Sequence, residues 1–273
     1  MPSVEVEVQV GGAGGWRPKQ QQKHRHHHHP LEIRQVWADN VDREFKLIRA
    51  AIERFPYVSM DTEFPGVIHH PPPAVHHSTL TAPQRYALLK SNVDALHLIQ
   101  VGLALAPSPG SPPALAFQIN LRGFDPRVHR HAPDSVRLLA SSGLICNPAV
   151  AWVTFSSAYD FAYLVKLLMG RKLPRALPDF LRYVRVYFGA AVYDVKHMAR
   201  VACASHGEVA LLGGLERVAA ALRVRRAAGQ GHQAASDSVL TWDTFREMAR
   251  IYFPKEGSLE PCAGVLYGLE LPN

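Results

Sequence analysis

Apolar positions in this chain fall into short runs broken by proline, glycine and histidine, and the runs carry two periods. Phe45, Ile48 and Ile52, inside residues 31–54, recur at helical spacing, which predicts an amphipathic helix. Asn40 or Asp42 stands where a cap is needed. FPYVSMDTEFPG, residues 55–66, reads as a strand that opens a sheet at Tyr57 to Met60 and is stopped by Pro65 and Gly66. Residues 69–83, HHPPPAVHHSTLTAP, read as a surface loop, and Tyr86 to Asn92 as a short helix. Leu96–Ala106 and Leu115–Leu121 are strand-like runs separated by PSPGSPP. Three such runs in succession predict antiparallel strands joined by hairpins. Further on, Ser135–Ala140 starts a helix, Trp152–Phe155 is a short buried strand, and Tyr159–Met169 is an amphipathic helix. Val192–Ala199 fits strand or helix, and Gly214–Leu222 and Ser238–Phe253 read as helices. Strands first, then strand and helix alternating, fit an α/β sheet covered by helices.

Composition narrows this picture. With 273 residues, 47% of them hydrophobic, the chain can bury a sizeable core. The expected organisation is a low-complexity tail over 1–30, one domain over 31–256, and a C-terminal tail over 257–273. The first segment, with GGAGG and KQQQKHRHHHHP, cannot bury a core and reads as disordered; His26 to His29 could hold a metal ion only loosely. A net charge of +7 favours an anionic partner, though basic residues of the N-terminal segment supply part of the excess. Cys146, Cys203 and Cys262 are few, odd in number and far apart, which argues for a reducing compartment and against a disulfide framework or a cysteine zinc site. No apolar run reaches the ~18 residues of a membrane span, and no secretory leader is evident. Nucleus and cytoplasm are the expected locations.

The chemistry starts at Asp61 and Glu63, two carboxylates at i and i+2 of a strand, hence on one face. Carboxylates that close repel unless a proton or cation lies between them. Asp160 follows the WVTF strand at the start of a helix, and His232 precedes Asp237 by five positions at the start of another. Singly, each has an ordinary explanation: Asp160 complements a helix dipole, Ser236 and Asp237 cap a helix, and His232 is a surface histidine. As an ordered set they resemble the DEDD exonucleases of the histidine subgroup. That resemblance implies a ribonuclease H-like exonuclease fold, α/β, with a mixed central sheet flanked by helices.

The stretches SMDTEFPG, YALLKSNVDALHLIQVGLAL, WVTFSSAYDFAYLVKLL, YDVKHMAR, GGLERVAAAL and GHQAASDSVLTWDTF are similar to the CAF/Pop deadenylases, the catalytic nuclease subunits of the CCR–NOT complex. The resemblance runs from Ile33 to Pro254. It implies a 3′-to-5′ exoribonuclease that removes 5′-AMP from poly(A) tails and promotes mRNA decay. It implies two divalent ions, Mg²⁺ or Mn²⁺, for which oxygen ligands are suited. Asp61 would bridge both ions, Glu63 and Asp237 would hold the one that binds the attacking water, and Asp160 the one at the leaving group. His232 would be the general base. Expected partners are poly(A) RNA, a NOT scaffold subunit and a leucine-rich-repeat deadenylase. Phe64 and His197, with Arg200, are the candidates for touching RNA. Asp194 would be structural, and Asp94 a loop or cap residue.

Five departures from the family pattern stand out. Ser156 replaces a histidine, Ala158, Ala162 and Ala235 replace glycines, and the segment between Ser135 and Gly143 is shorter than in relatives. Alanine is costly wherever glycine had a positive φ, and loss of a covering helix exposes apolar surface. Two classes of function therefore stand: an active poly(A) exonuclease, and a catalytically weak binding or regulatory subunit of the complex. A third reading is an exonuclease without base preference. Activity on oligo(A) separates the first two, and comparison with oligo(U) and oligo(C) the third.

Overall fold

Six strands form one mixed sheet. The computed structural model describes residues 31–76, 79–121 and 138–271, so the expected tail over 1–30 and the start of the helix expected at Ser135 lie outside the described residues. In chain order the elements are β1 (Ile33–Val36), α1 (Val41–Ala51), β2 (Tyr57–Glu63), α2 (Ala82–Ala95), β3 (Gln100–Ala106), β4 (Leu115–Asn120), β5 (Ala151–Thr154), α3 (Ala158–Met169), α4 (Leu177–Phe188), β6 (Val192–Asp194), α5 (Val195–His206), α6 (Leu215–Ala221) and α7 (Ala234–Tyr252). The sheet order is β1-β4-β3-β2-β5-β6.

The centre of the sheet decides where chemistry can occur. β2 pairs antiparallel with β3 along its whole length, from Tyr57 opposite Ala106 to Glu63 opposite Gln100. Its other neighbour, β5, runs parallel to it and pairs only from Tyr57 to Ser59. Asp61, Thr62 and Glu63 therefore extend past β5, and α3 starts four residues after β5 ends. Phe161, Leu164, Phe45, Ile48 and Phe180 fill the layer on one face. Val153, Val195, Met198, Trp242, Phe245 and Met248 fill the other. With aliphatic strands between two helical layers, the architecture is the flanked mixed sheet expected from the sequence.

Local chemistry explains several boundaries. Thr81 and Gln84 form a reciprocal capping box at the start of α2. Asn40 sits at the N-cap of α1 but does not cap it; its Oδ1 accepts from Trp37 N (2.8 Å) and its Nδ2 donates to Gln35 O (2.9 Å), closing the preceding turn. Val192–Ala199 holds both expected structures, with Asp194 ending β6 and capping α5 through Lys196 N (3.0 Å). Asp94 lies in the last turn of α2, paired with Lys90, and accepts from Leu173 N (2.9 Å).

The structure corrects three expectations. Of the three strand-like runs expected to form hairpins, the last two, β3 and β4, do so, while α2 intervenes between β2 and β3. Sequence periodicity did not reveal β1 or α4; β1 is a four-residue edge strand parallel to β4, too short to show a period. The segment 257–271, set apart as a tail, is built into the same unit. Gly264 N donates to Val192 O (2.8 Å), Val265 bridges to Tyr193, and Cys262, Leu266 and Leu269 are buried.

Around the shortened segment, residues 138–140 make one helical turn. Leu139, Leu144 and Ile145 are buried, and Arg49 Nε donates to Ser141 O (2.9 Å). The described part of the join is thus covered. Among the described residues, no helix is long and apolar enough to cross a membrane.

Candidate active site

Strand alternation places Asp61 and Glu63 on the face of β2 that receives α7, and Thr62 on the opposite side. α7 reaches this face closely because β3 carries Gly102 opposite Asp61. A Cβ at Gly102 would lie 2.0 Å from the backbone carbonyl carbon of Ala234 and 2.2 Å from Ala235 N. Ser59 Oγ donates to Ser238 O (2.8 Å), a second tie between β2 and the first turn of α7. These two contacts bring Asp237 over the end of β2.

The loop before α7 brings the histidine. His232 has φ of 60°, a left-handed conformation uncommon for non-glycine residues. Its backbone N–H donates to Asp237 Oδ2 (3.0 Å). Glu63, His232 and Asp237 offer ligand atoms that all lie within 4.8 Å of one another. Asp160 arrives from the other layer at the N-terminus of α3, is buried, and accepts a hydrogen bond from Thr62 Oγ1. The strand thus supplies three consecutive groups: Asp61 and Glu63 as carboxylates and Thr62 as the donor that orients a third.

The electrostatics are those of uncompensated negative charge. Burial, then the facing Asp160, Asp237 and Glu63, raise Asp61 well above the usual carboxylate range, with Arg226 acting against them. Burial and Asp237 raise Glu63, opposed by His232. Burial pushes Asp160 up to about 7, even though the Thr62 hydroxyl favours its charged form. Such a cluster ionises together only when cations join it, so the residues fit divalent metal ions held by oxygen ligands.

All five sequence-predicted site residues meet at this end of the sheet. The candidates for RNA contact fare differently. Phe64 is half-buried and stacks on Tyr159, with ring centroids 5.3 Å apart. His197 is buried and turned toward Glu270 (Nδ1 to Oε1 3.7 Å), so it presents no ring to a ligand. Arg200 is exposed but ion-paired with Glu270 (2.7 Å). Asp194 is structural, as expected: its carboxylate accepts from Ser156 N, Ser157 N, Ser157 Oγ, Lys196 N and Tyr267 N at 2.8–3.2 Å.

Of the substitutions, Ser156 takes a positive φ of 59°, while Ala158, Ala162 and Ala235 sit inside α3 and α7, outside the positive-φ positions.

Sequence reasoning missed Arg226, which joins Asp237 Oδ1 (2.6 Å), Ser236 Oγ (2.6 Å) and Glu216. Nothing in the run of Arg223, Arg225 and Arg226 distinguishes it. Gly102 was missed too, although a lone glycine within an aliphatic strand signals close backbone approach.

A family model for the CAF1 family ribonuclease matches residues 36–121. The chain is 38% identical to "Probable CCR4-associated factor 1 homolog 7" of Arabidopsis thaliana, over 89% of this chain and 95% of that protein. It is 36% identical to the poly(A) ribonuclease pop2 of Schizosaccharomyces pombe, over 87% and 75%. The solved structure of S. pombe Pop2p in its Mg²⁺- and Mn²⁺-bound form superposes with a TM-score of 0.74 at 34% identity, covering 87% of this chain and 99% of that one. By sequence and by fold, the chain belongs to the CAF1 ribonuclease family.

Proposed function

We propose that the chain is a poly(A)-specific 3′-to-5′ exoribonuclease that shortens mRNA tails and releases 5′-AMP. It acts in nucleus and cytoplasm as the nuclease subunit of a CCR4–NOT complex, beside a NOT scaffold subunit and a leucine-rich-repeat deadenylase. The observation that carries the nuclease reading is the convergence of Asp61, Glu63, Asp160 and Asp237 on one end of the sheet, with each of the other three raising Asp61. The poly(A) substrate and the association with a CCR4-type partner are supported by what the relatives are called.

Asp61, Glu63, Asp160 and Asp237 are the groups that would hold two divalent cations, which supply Lewis acidity and a water ionised near neutral pH. The chain's own residues do the rest. His232 is exposed beside Glu63 and Asp237 and accepts a proton from the attacking water as general base. Arg226 fixes the Asp237 carboxylate through Oδ1, and the Thr62 hydroxyl fixes that of Asp160. The reading as a binding subunit alone loses its ground at the replaced glycines, since Ala158 and Ala162 lie in regular helix.

Base preference tests the substrate. At one fixed salt concentration, since salt moves affinity strongly, 5′-labelled oligo(A) is shortened faster than oligo(U) or oligo(C) of equal length. Equal rates on all three would make the chain a general exonuclease.

A further inference from the structure

Next to Asp160 lies a cleft of about 390 Å³ whose walls include Arg85, Ser156, Tyr159, Lys196 and Tyr267. Four chain segments meet there, α2 among them, and buried Asp194 ties the other three together: it accepts from the backbone of Ser156 and Ser157 before α3, of Lys196 in α5, and of Tyr267 in the C-terminal segment. Its oxygens are thereby spent beneath the cleft floor.

Leu88, Leu89 and Leu269 give the cleft an apolar side, and Lys196, Tyr159 and Tyr267 a cationic and aromatic one. The Lys196 ammonium lies 4.8 Å from the centre of the Tyr267 ring and 5.8 Å from that of Phe155. The Arg200 guanidinium lies 5.7 Å from the Tyr267 ring centre. Among the described residues, no carboxylate forms a salt bridge with Lys196. An ammonium held over aromatic rings without a counter-ion is placed to receive an anion. The cleft neighbours the acidic site along the chain: Tyr159 on its wall precedes Asp160 and stacks on Phe64, which follows Glu63.

We propose that this cleft is a backbone subsite for single-stranded RNA, in which Lys196, held over the Tyr267 ring, grips a phosphodiester adjoining the one that is cut. The proposal deepens the nuclease reading and rests on it for the identity of the strand. A phosphate contact carries no base information, so poly(A) preference must arise elsewhere. Asp194 is a positioning residue for the cleft.

The test is binding of 5′-labelled oligo(A) and oligo(U) to the full chain in EDTA, by fluorescence anisotropy across a salt series, with steady-state cleavage in Mn²⁺ alongside. Lys196→Ala weakens binding of both strands about tenfold, the worth of one charge-assisted hydrogen bond. It also lowers the slope of log affinity against log salt by about 0.7, the value of one single-strand phosphate contact. KM rises with kcat little changed, and Lys196→Arg restores the slope. Tyr267→Ala serves as an independent variant and moves affinity the same way. Wild-type affinity and salt slope in both Lys196→Ala and Tyr267→Ala, with the wild-type chain cleaving normally, would overturn the subsite and leave the nuclease standing. A wild-type chain that cleaves nothing yet shows the Lys196-dependent slope would overturn the nuclease and keep the subsite. Absence of both cleavage and binding would overturn both.

Discussion

His232 carries two burdens at once. Its backbone adopts a positive φ of 60° and donates to Asp237, while its ring shares the space of Glu63 and Asp237. The backbone bond survives truncation of the side chain, so His232→Ala separates the two. Loss of a general base lowers kcat by about 10²–10⁴, while Mn²⁺ affinity, measured by calorimetry, stays close to wild type. Lost metal affinity would instead make His232 a ligand. The five residues that meet at the end of β2 could be singled out because, as an ordered set, they resemble the DEDD exonucleases, although each alone has an ordinary explanation. Arg226 was not, because its role depends on a fold that sets it against Asp237, Ser236 and Glu216, and an arginine among arginines carries no local mark.

At the scale of elements, the site depends on how closely α7 approaches the sheet. The backbone of Ala234 and Ala235 occupies the space a side chain on residue 102 would need. Gly102→Ala therefore forces the helix outward, at a cost of about 3 kcal/mol, read by urea unfolding. It also lowers metal affinity, because Asp237 moves off Asp61. Wild-type stability in that variant would mean that α7 does not sit where the contact requires. The strands with long aliphatic runs and most of the amphipathic helices were readable from period; α4, whose buried Leu177, Phe180, Val184 and Phe188 recur at helical spacing, was overlooked. β1 was not readable, being four residues at an edge, nor was the C-terminal segment. Among its ties to the core are a backbone bridge at Val265 and the bond from Tyr267 N to Asp194, and neither leaves a periodic trace. Asp194 itself was read as structural, but that it binds three segments together is a fact of tertiary contact.

For the whole molecule, clustered acids link folding, pH and metal. Asp160 is raised from 3.8 to about 7, and Asp61 is raised well above 3.8. A carboxyl whose folded pKa exceeds its unfolded one stabilises the fold fully below the unfolded value and loses that contribution as pH rises through the folded value. The metal-free chain should therefore lose thermal stability between about pH 4 and pH 7, and Asp160→Asn should flatten that loss. Glu270 works in the opposite sense: burial would raise it, but His197, the Gly268 N–H and Arg200 hold it at about 2. Its contribution is lost only as pH falls from 4.5 toward 2, outside this window. Cations compete with protons for the same oxygens, so the rise in Tm on adding Mn²⁺ is larger at pH 8 than at pH 5. A rise independent of pH would contradict metal binding by these acids.

The central claim is that Asp61, where the influences of the other three carboxylates converge, makes this chain a metal-dependent exonuclease. The direct measurement is incubation of 5′-labelled oligo(A) with the full chain in Mg²⁺ or Mn²⁺, beside Asp61→Ala and an EDTA control. The expected result is stepwise shortening with release of 5′-AMP by the wild-type chain, and none by Asp61→Ala or in EDTA. An intact oligonucleotide after incubation with folded, metal-loaded wild-type protein would contradict it.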